Sequence, residues 1–382
     1  MKILFAAGGT GGHINPALAA AGEIRERYPD AEILFVGAKG KMEAKLVPNA
    51  GFNLKTIRIA GFQRKISIEN IFRNILAVLY LVLSPLSVRK IIKDFKPDVV
   101  VGFGGYVSGP VVQMAAKMGI PTAIHEQNAY PGVTNKTLAK SVDRVMLTVE
   151  DANKHLSAKN PPVVTGLPVR GEMLKADREK SRKELGIKDN QKLVLSMGGS
   201  LGALTINNAM VDLISEFSDN DNLYFLHAMG QYGLWVPDKL REKGVDPDKK
   251  NNVEIREYIS DMDRCMSAAD VVICRAGASS LSELQALGKA SILIPSPNVS
   301  ENHQYHNAMA LVNKGAALII EEKDLTKEKM AELFESLVFD DEKRFNVEAN
   351  AKVMAVVDAK EKLQISSFHL LKNKEKSHLF TF

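Results

Sequence analysis

Two short stretches decide the fold: KILFAAGGTGGH at residues 2–13 and LVLSMGGSLGA at residues 193–203. Each is an apolar run of β-type residues that empties into a glycine-rich loop and then a helical pattern. A strand apolar on both faces must be covered on both sides, and strand, glycine loop and helix together open a doubly wound parallel sheet. Outward from the first stretch, further apolar runs lie at Glu32–Val36, Val99–Gly102, Thr122–His125 and Arg144–Thr148. Outward from the second they lie at Tyr224–His227, Val253–Arg256, Val271–Cys274, Ser291–Ile294 and Ala317–Ile320. Helical patterns separate them, which predicts an α/β protein of two Rossmann-like sheets. Gly166 and Pro168 interrupt the pattern, so a boundary is expected after residue 166, and 382 residues suit two domains.

Composition narrows the function. Hydrophobic residues at 45% and charged residues at 25% exclude collagen-like and wholly disordered classes. Cys265 and Cys274 are too few for a disulfide framework and too far apart for CxxC, so a reducing compartment fits. The N-terminus breaks into glycines too early for a secretion leader, and a cytoplasmic chain is expected. Residues 1–166 carry 21 Lys/Arg against 12 Asp/Glu, while the rest carry 29 against 33. That split suits either an anionic surface on the first half or a chance spread of lysines. The basic half lacks interleaved aromatics, so nucleic acid is not an expected partner. Ile66–Val88, ISIENIFRNILAVLYLVLSPLSV, is an apolar helix bordered or interrupted by Arg64, Lys65, Arg73, Arg89, Lys90 and Lys93. It is short of a bilayer span and reads equally as a membrane-surface helix or as a buried one.

Chemistry-bearing residues gather at the ends of the expected strands. Gly8-Gly9-Thr10-Gly11-Gly12-His13 is neither GxGxxG nor a Walker A loop, and no acid ends the second strand to hold a nicotinamide ribose. Pro16 reads as the first turn of the helix that follows. Amides at that helix start attract negative charge, and His13 reads as a general base or as a plain polar loop residue. Gly102–Pro110, with Tyr106, and His125-Glu126-Gln127-Asn128 belong on the same rim. In the second half, Ser200 sits in a phosphate-cradle loop and Glu283 lies inside the helix after Arg275–Ser279. Gln304 follows a Pro-rich turn. Three D-x-D triplets, Asp219/Asp221, Asp246/Asp248 and Asp261/Asp263, read as caps and turns, so no metal is expected.

Taken together, GGTGGHINPALA, GFGGYVSGP, HEQNAYPGVTNK, TGLPVR, GGSLGA, CRAGASSLSELQALGKASILIP and HQYHNA resemble the MurG family, in order, from Lys2 to about Ala317. That family transfers N-acetylglucosamine (GlcNAc) from UDP-GlcNAc to undecaprenyl-pyrophosphoryl-MurNAc-pentapeptide (lipid I). The resemblance implies a GT-B fold of two doubly wound domains facing a cleft, and inverting, metal-independent transfer to the MurNAc 4-hydroxyl, giving lipid II. No cofactor is implied. An acceptor- and membrane-associating domain would span 1–166 and a UDP-GlcNAc domain 167–349, with residues 350–382 holding a helix that returns to the first domain and a loose basic tail.

By resemblance, His13 is the base and Glu126 a second catalytic residue. Thr10, Gly11 and Gly12 line the cleft. Ile259 meets uracil through its backbone, beside Met262. Glu283 holds the ribose, Ser200 and Arg170 face the diphosphate, and Asn128, Ala278, Ser279 and Gln304 surround the donor sugar. The lipid acceptor gives Tyr106 and the apolar residues Ile75, Leu79 and Leu83 a shared purpose on the anionic cytoplasmic membrane surface. His303, where some relatives carry a second Gln, and Ser279, in place of a larger apolar residue, depart from the family pattern. Rival readings are a GT-B transferase with another acceptor, a catalytically silent nucleotide-sugar scaffold, and a UDP-GlcNAc epimerase.

Overall fold

The computed structural model describes residues 1–61 and 67–366, without the side chains of residues 68, 69, 71, 73, 76 and 81. Arg64, Lys65, Ile66, the Arg73 side chain and the expected basic tail therefore lie outside the described residues. The described chain divides into two units, Met1–Pro168 with residues 358–366, and Val169–Val357.

The first unit runs β1 (Lys2–Ala6), α1 (Gly11–Arg27), β2 (Glu32–Ala38), α2 (Glu43–Asn49), β3 (Asn53–Ile57), α3 (Ile68–Phe95), β4 (Val99–Gly102), α4 (Gly105–Lys117), β5 (Thr122–Glu126), α5 (Val133–Leu138), β6 (Arg144–Leu147) and β7 (Val163–Val164). Its strands are parallel, in the order β3-β2-β1-β4-β5-β6-β7. Successive residues sort to opposite faces, as the two-residue period of a strand requires. Leu4, Ala6, Leu34, Val36 and Val100 pack under α3 and α4 with Val88, Ile92, Val107 and Val111. Ile3, Phe5, Ile33, Phe35 and Val101 pack under α1 with Ile14, Ala17 and Ile24. Leu363 joins that second face from a helix over residues 359–366, beside the Arg27–Glu361 ion pair at 3.2 Å.

The second unit runs α6 (Gly171–Lys175), α7 (Arg178–Glu184), β8 (Lys192–Met197), α8 (Leu204–Phe217), β9 (Leu223–Ala228), α9 (Val236–Glu242), β10 (Val253–Arg256), α10 (Met262–Ala268), β11 (Val271–Cys274), α11 (Ala278–Leu287), β12 (Ala290–Leu293), α12 (His303–Val312), β13 (Leu318–Ile319), α13 (Lys327–Val338) and α14 (Asp341–Val353). Its parallel sheet has the order β10-β9-β8-β11-β12-β13. The unit reaches past residue 349 because α14 continues to Val353 and buries Val347 in the same core as Phe225, Ile292 and Phe334.

Each sheet reverses its winding once, between β1 and β4 in the first unit and between β8 and β11 in the second. Loops leaving two adjacent strands in opposite directions open a crevice at their carboxyl ends, where ligands of this architecture bind. The four glycine-rich motifs are the four loops at these two points.

Candidate active site

In the first unit, α1 begins at Gly11, with Thr10 in extended geometry at its N-cap and no side chain capping it. The expected start at Pro16 is therefore corrected. Pro16 lies inside the helix, where it removes the N–H that would bond the Gly12 carbonyl, and the first turn is opened by Gly11 and Gly12 instead. An uncapped helix start leaves backbone N–H groups and the positive end of the dipole to a ligand. The loop is held from behind by the buried Glu43, whose carboxylate accepts from the Gly9 amide at 3.2 Å and the Ala38 amide at 2.7 Å. Sequence reasoning missed Glu43, since nothing local separates it from a solvated helix acid.

His13 projects from the first turn of α1 and is half-buried. Its Nδ1 lies 2.9 Å from Oε1 of Gln127. The loop after β4 backs closely onto it. A Cβ on Gly104 would sit 2.8 Å from the His13 Nδ1, and one on Gly105 would sit 2.2 Å from the Gly8 carbonyl oxygen, both at positive φ. Only glycine allows these two approaches. Tyr106, next on α4, is half-buried against Gly9 and Gly61, and burial pushes its phenol up, with Glu43 adding to the effect.

Glu126, expected as a second catalytic residue, is held in a hydrogen-bond network at the end of β5. It is 1% exposed, and its carboxylate accepts from the Asn128 amide (2.9 Å), Asn128 Nδ2 (3.2 Å), the Gly132 amide (3.2 Å) and Asn135 Nδ2 (2.8 Å). A carboxylate so bonded shapes the Asn128–Gly132 loop. Asn135, at the start of α5, is a second member of this network that sequence reasoning did not single out.

The second unit repeats the layout. Gly198–Ala203 turns tightly on the Gly202 N–H to Gly199 O bond of 2.9 Å and leaves Ser200 exposed ahead of α8, which has no side-chain cap. α11 starts at Ala278 behind Gly277, also without a side-chain cap, and Ser279 is exposed in its first turn. Glu283 is one and a half turns in, with its side chain 12% exposed. Arg170 Nε donates to its Oε1 at 2.8 Å, so two residues expected on different parts of the donor form one ion pair. Burial raises the Glu283 carboxyl above its usual range, against the pull of Arg170.

Gln304, on the first turn of α12, accepts from the Ser296 amide at 2.9 Å. It follows Glu301 and Asn302, both at positive φ, an uncommon backbone for non-glycine residues that costs of order ~1–3 kcal/mol each and gathers at functional loops. His303 bonds the Ser300 carbonyl at 2.8 Å through Nδ1. Ile259 is buried and Met262 opens α10. Their loop is braced by Arg256, which sequence reasoning missed. It pairs with Glu254 (2.7 Å) and Asp261 (2.9 Å).

The acidic triplets divide. Asp246 makes the expected turn, accepting from the Asp248 amide at 3.3 Å. Asp261 stands at an N-cap without capping, because Arg256 and Arg264 take its carboxylate, and Asp219 pairs with Lys250. Among the described residues no group of three or more His, Cys, Asp or Glu side chains is arranged to hold a metal ion.

One consequence is a pH dependence of stability. His125 in the first unit and His227 in the second are fully buried, and burial lowers each to about 4 from an ordinary 6.5. Between those values the unfolded chain binds protons that the folded chain refuses, so stability rises with pH through this window and is flat above it. Each histidine is expected to remove about 3 kcal/mol by pH 4. Urea melts from pH 4 to 8 measure it, and a midpoint that ignores pH between 4.5 and 6.5 would contradict it.

With this geometry in place, comparison with known proteins is informative. Residues 3–147 match the glycosyltransferase family 28 N-terminal domain and residues 193–363 its C-terminal domain. The chain is 45% identical, over 98% of its length and 99% of the relative's, to the UDP-N-acetylglucosamine–N-acetylmuramyl-(pentapeptide) pyrophosphoryl-undecaprenol N-acetylglucosamine transferase of Acetivibrio thermocellus. Among solved structures, MurG of Acinetobacter baumannii superposes with a TM-score of 0.79 at 27% identity, covering 96% of this chain and 99% of that one. A UDP-GlcNAc 2-epimerase from Neisseria meningitidis reaches 0.65 at 16% identity, with 97% and 100% of the two chains covered, a likeness of fold alone.

Proposed function

This chain belongs to the glycosyltransferase family 28 enzymes of the MurG type, and from that premise we propose how it carries out their reaction, the transfer of GlcNAc from UDP-GlcNAc onto lipid I to give lipid II. The observation that carries the assignment is identity at this level along nearly the whole of both chains.

In the proposed mechanism His13 takes the proton from the MurNAc 4-hydroxyl as its oxygen attacks the sugar C1. The C1–oxygen bond to the diphosphate breaks on the opposite face, UDP leaves, and the configuration inverts. The acceptor side uses the uncapped start of α1, with Thr10, Gly11 and Gly12. The donor is held in the second unit. Ile259 meets the base through its backbone, beside Met262, and Glu283 takes the ribose hydroxyls. Ala278, Ser279, Gln304 and Asn128 take the sugar. Charge growing on the leaving diphosphate is met by Ser200, Arg170 and helix starts, donors already oriented before reaction. Arg170 is exposed enough to trade Glu283 for phosphate. Release of UDP that requires a lipid I analogue supports this reading; conversion of UDP-GlcNAc to UDP-ManNAc without acceptor would overturn it.

We further propose that α3 docks on the cytoplasmic face of the membrane. The reading rests on the two faces of this helix. Ala77, Ser84 and Val88 are buried, while Phe72, Ile75, Val78, Leu79, Val82, Leu83 and Leu86 are each about half to two-thirds exposed. The exposed set recurs at three- and four-residue steps and runs into exposed Arg89, Lys90 and Lys93. No helix among the described residues is long and apolar enough to cross a membrane. Leu79→Glu is expected to weaken sedimentation with anionic liposomes by about tenfold, leaving turnover of a soluble acceptor analogue intact. Unchanged liposome binding would remove α3 from the membrane.

A further inference from the structure

We infer that Gln127 and His125 form a hydrogen-bonded relay that fixes the tautomer of His13 and so presents Nε2 as the proton acceptor; this rests on the reading of His13 as the base. The chain of contacts starts at a backbone carbonyl. His125 Nε2 lies 2.9 Å from the Gly166 carbonyl oxygen, which can only accept, so His125 carries its proton on Nε2 and offers a lone pair at Nδ1. Gln127 Nε2 lies 3.1 Å from that Nδ1, 3.0 Å from the Phe103 carbonyl oxygen and 3.1 Å from the His125 carbonyl oxygen.

Three acceptors therefore surround one end of the amide. Turning the amide over would set its oxygen against all three, so the NH₂ group must face them. Gln127 Oε1 then faces His13, 2.9 Å from Nδ1. An amide oxygen cannot donate, so His13 must carry its proton on Nδ1, and its lone pair is at Nε2.

The relay is built to hold this arrangement. His125 is 0% and Gln127 3% exposed, so water does not compete for the bonds. His125 is held neutral by burial, which lowers it to about 4, so its Nδ1 lone pair survives at neutral pH. The Phe103 ring packs on the His125 ring at 5.5 Å between centroids. The partner of His13 is an amide and not a carboxylate. It accepts from Nδ1–H before and after His13 takes the substrate proton, and so orients the ring without placing a second charge beside it. Gln127 and His125 reach no substrate atom in this account and are positioning residues.

The test combines ¹⁵N-histidine NMR with steady-state kinetics on the full chain. In the unsubstituted protein His13 is expected to carry its proton on Nδ1; a proton on Nε2 overturns the inference without any variant. Gln127→Met, which keeps the volume and removes both polar ends, is expected to shift His13 toward the Nε2–H form. It should lower kcat roughly tenfold to a hundredfold with an unchanged KM for UDP-GlcNAc. Gln127→Glu, whose protonated carboxyl keeps an acceptor toward His13 and a donor toward the carbonyls, is expected to restore part of the lost kcat. His13→Ala is run alongside. An inactive His13→Ala with Gln127→Met unaltered in tautomer and rate overturns the relay alone, whereas full activity in His13→Ala removes the base and the relay with it.

Discussion

Replacing His13 with alanine is expected to lower kcat by about 10²–10⁴-fold, the span typical of losing a positioned general base, while the Kd for UDP-GlcNAc stays within about twofold. The two effects separate because the donor contacts assigned above lie in the second unit, apart from Asn128, and His13 lies in the first. The variant gives up the Gln127 bond at a half-buried position, a cost of about 1 kcal/mol that leaves the chain folded. Stopped-flow or single-turnover transfer isolates the chemical step from product release. Equal losses in kcat and donor affinity would mean that His13 binds nucleotide and that the base lies elsewhere.

The second large effect is expected at Glu283. Its alanine variant should bind UDP-GlcNAc weaker by about 2–3 kcal/mol, roughly 30- to 150-fold in Kd, the loss expected for charge-assisted bonds to a ribose diol. Free UDP should lose the same amount, since the ribose is common to both. A UDP analogue without ribose hydroxyls should lose nothing and should bind the variant at least as tightly, since its diphosphate meets an Arg170 already free of Glu283. The loss stays moderate because the ion pair with Arg170 at 2.8 Å must be surrendered when donor binds, and in the variant Arg170 is released from the start. Titration calorimetry with the three ligands reads all of this. If the analogue is weakened by the substitution as much as UDP is, Glu283 acts through Arg170 and not on the ribose.

The fold was legible in the sequence where strands are buried on both faces. Val99–Gly102 and Val271–Cys274 are continuous apolar runs, and every residue of each is buried in the sheet. β3 escaped because NLKTI is polar and mostly exposed at the sheet edge, and β7 because two residues inside a Gly/Pro break carry no period. α3 stayed ambiguous because apolar residues run all round it, and such a helix does not declare which face is covered. Pro16 misled because proline suits a first turn, yet Gly11 and Gly12 before it are already helical.

At the site, residue types were legible and roles were not. A Glu beside a His in HEQN suggests acid–base work, but Glu126 takes three bonds from the loop that follows it and one from Asn135 on α5, which only the fold reveals. Gln127, in the same motif, carries the contact to His13. Its significance depends on three acceptors contributed from β5 and from the loop after β4. Arg170 and Glu283 are 113 positions apart, and no spacing rule joins them.

The most direct measurement is transfer of labelled GlcNAc from UDP-GlcNAc to a lipid I analogue with EDTA present, followed by the anomeric configuration of the product. Full transfer in EDTA and a β-linked disaccharide lipid from the α-linked donor are expected, as one displacement with His13 as base requires. Retention of configuration, loss of transfer in EDTA that magnesium restores, or consumption of UDP-GlcNAc with no labelled lipid would contradict it.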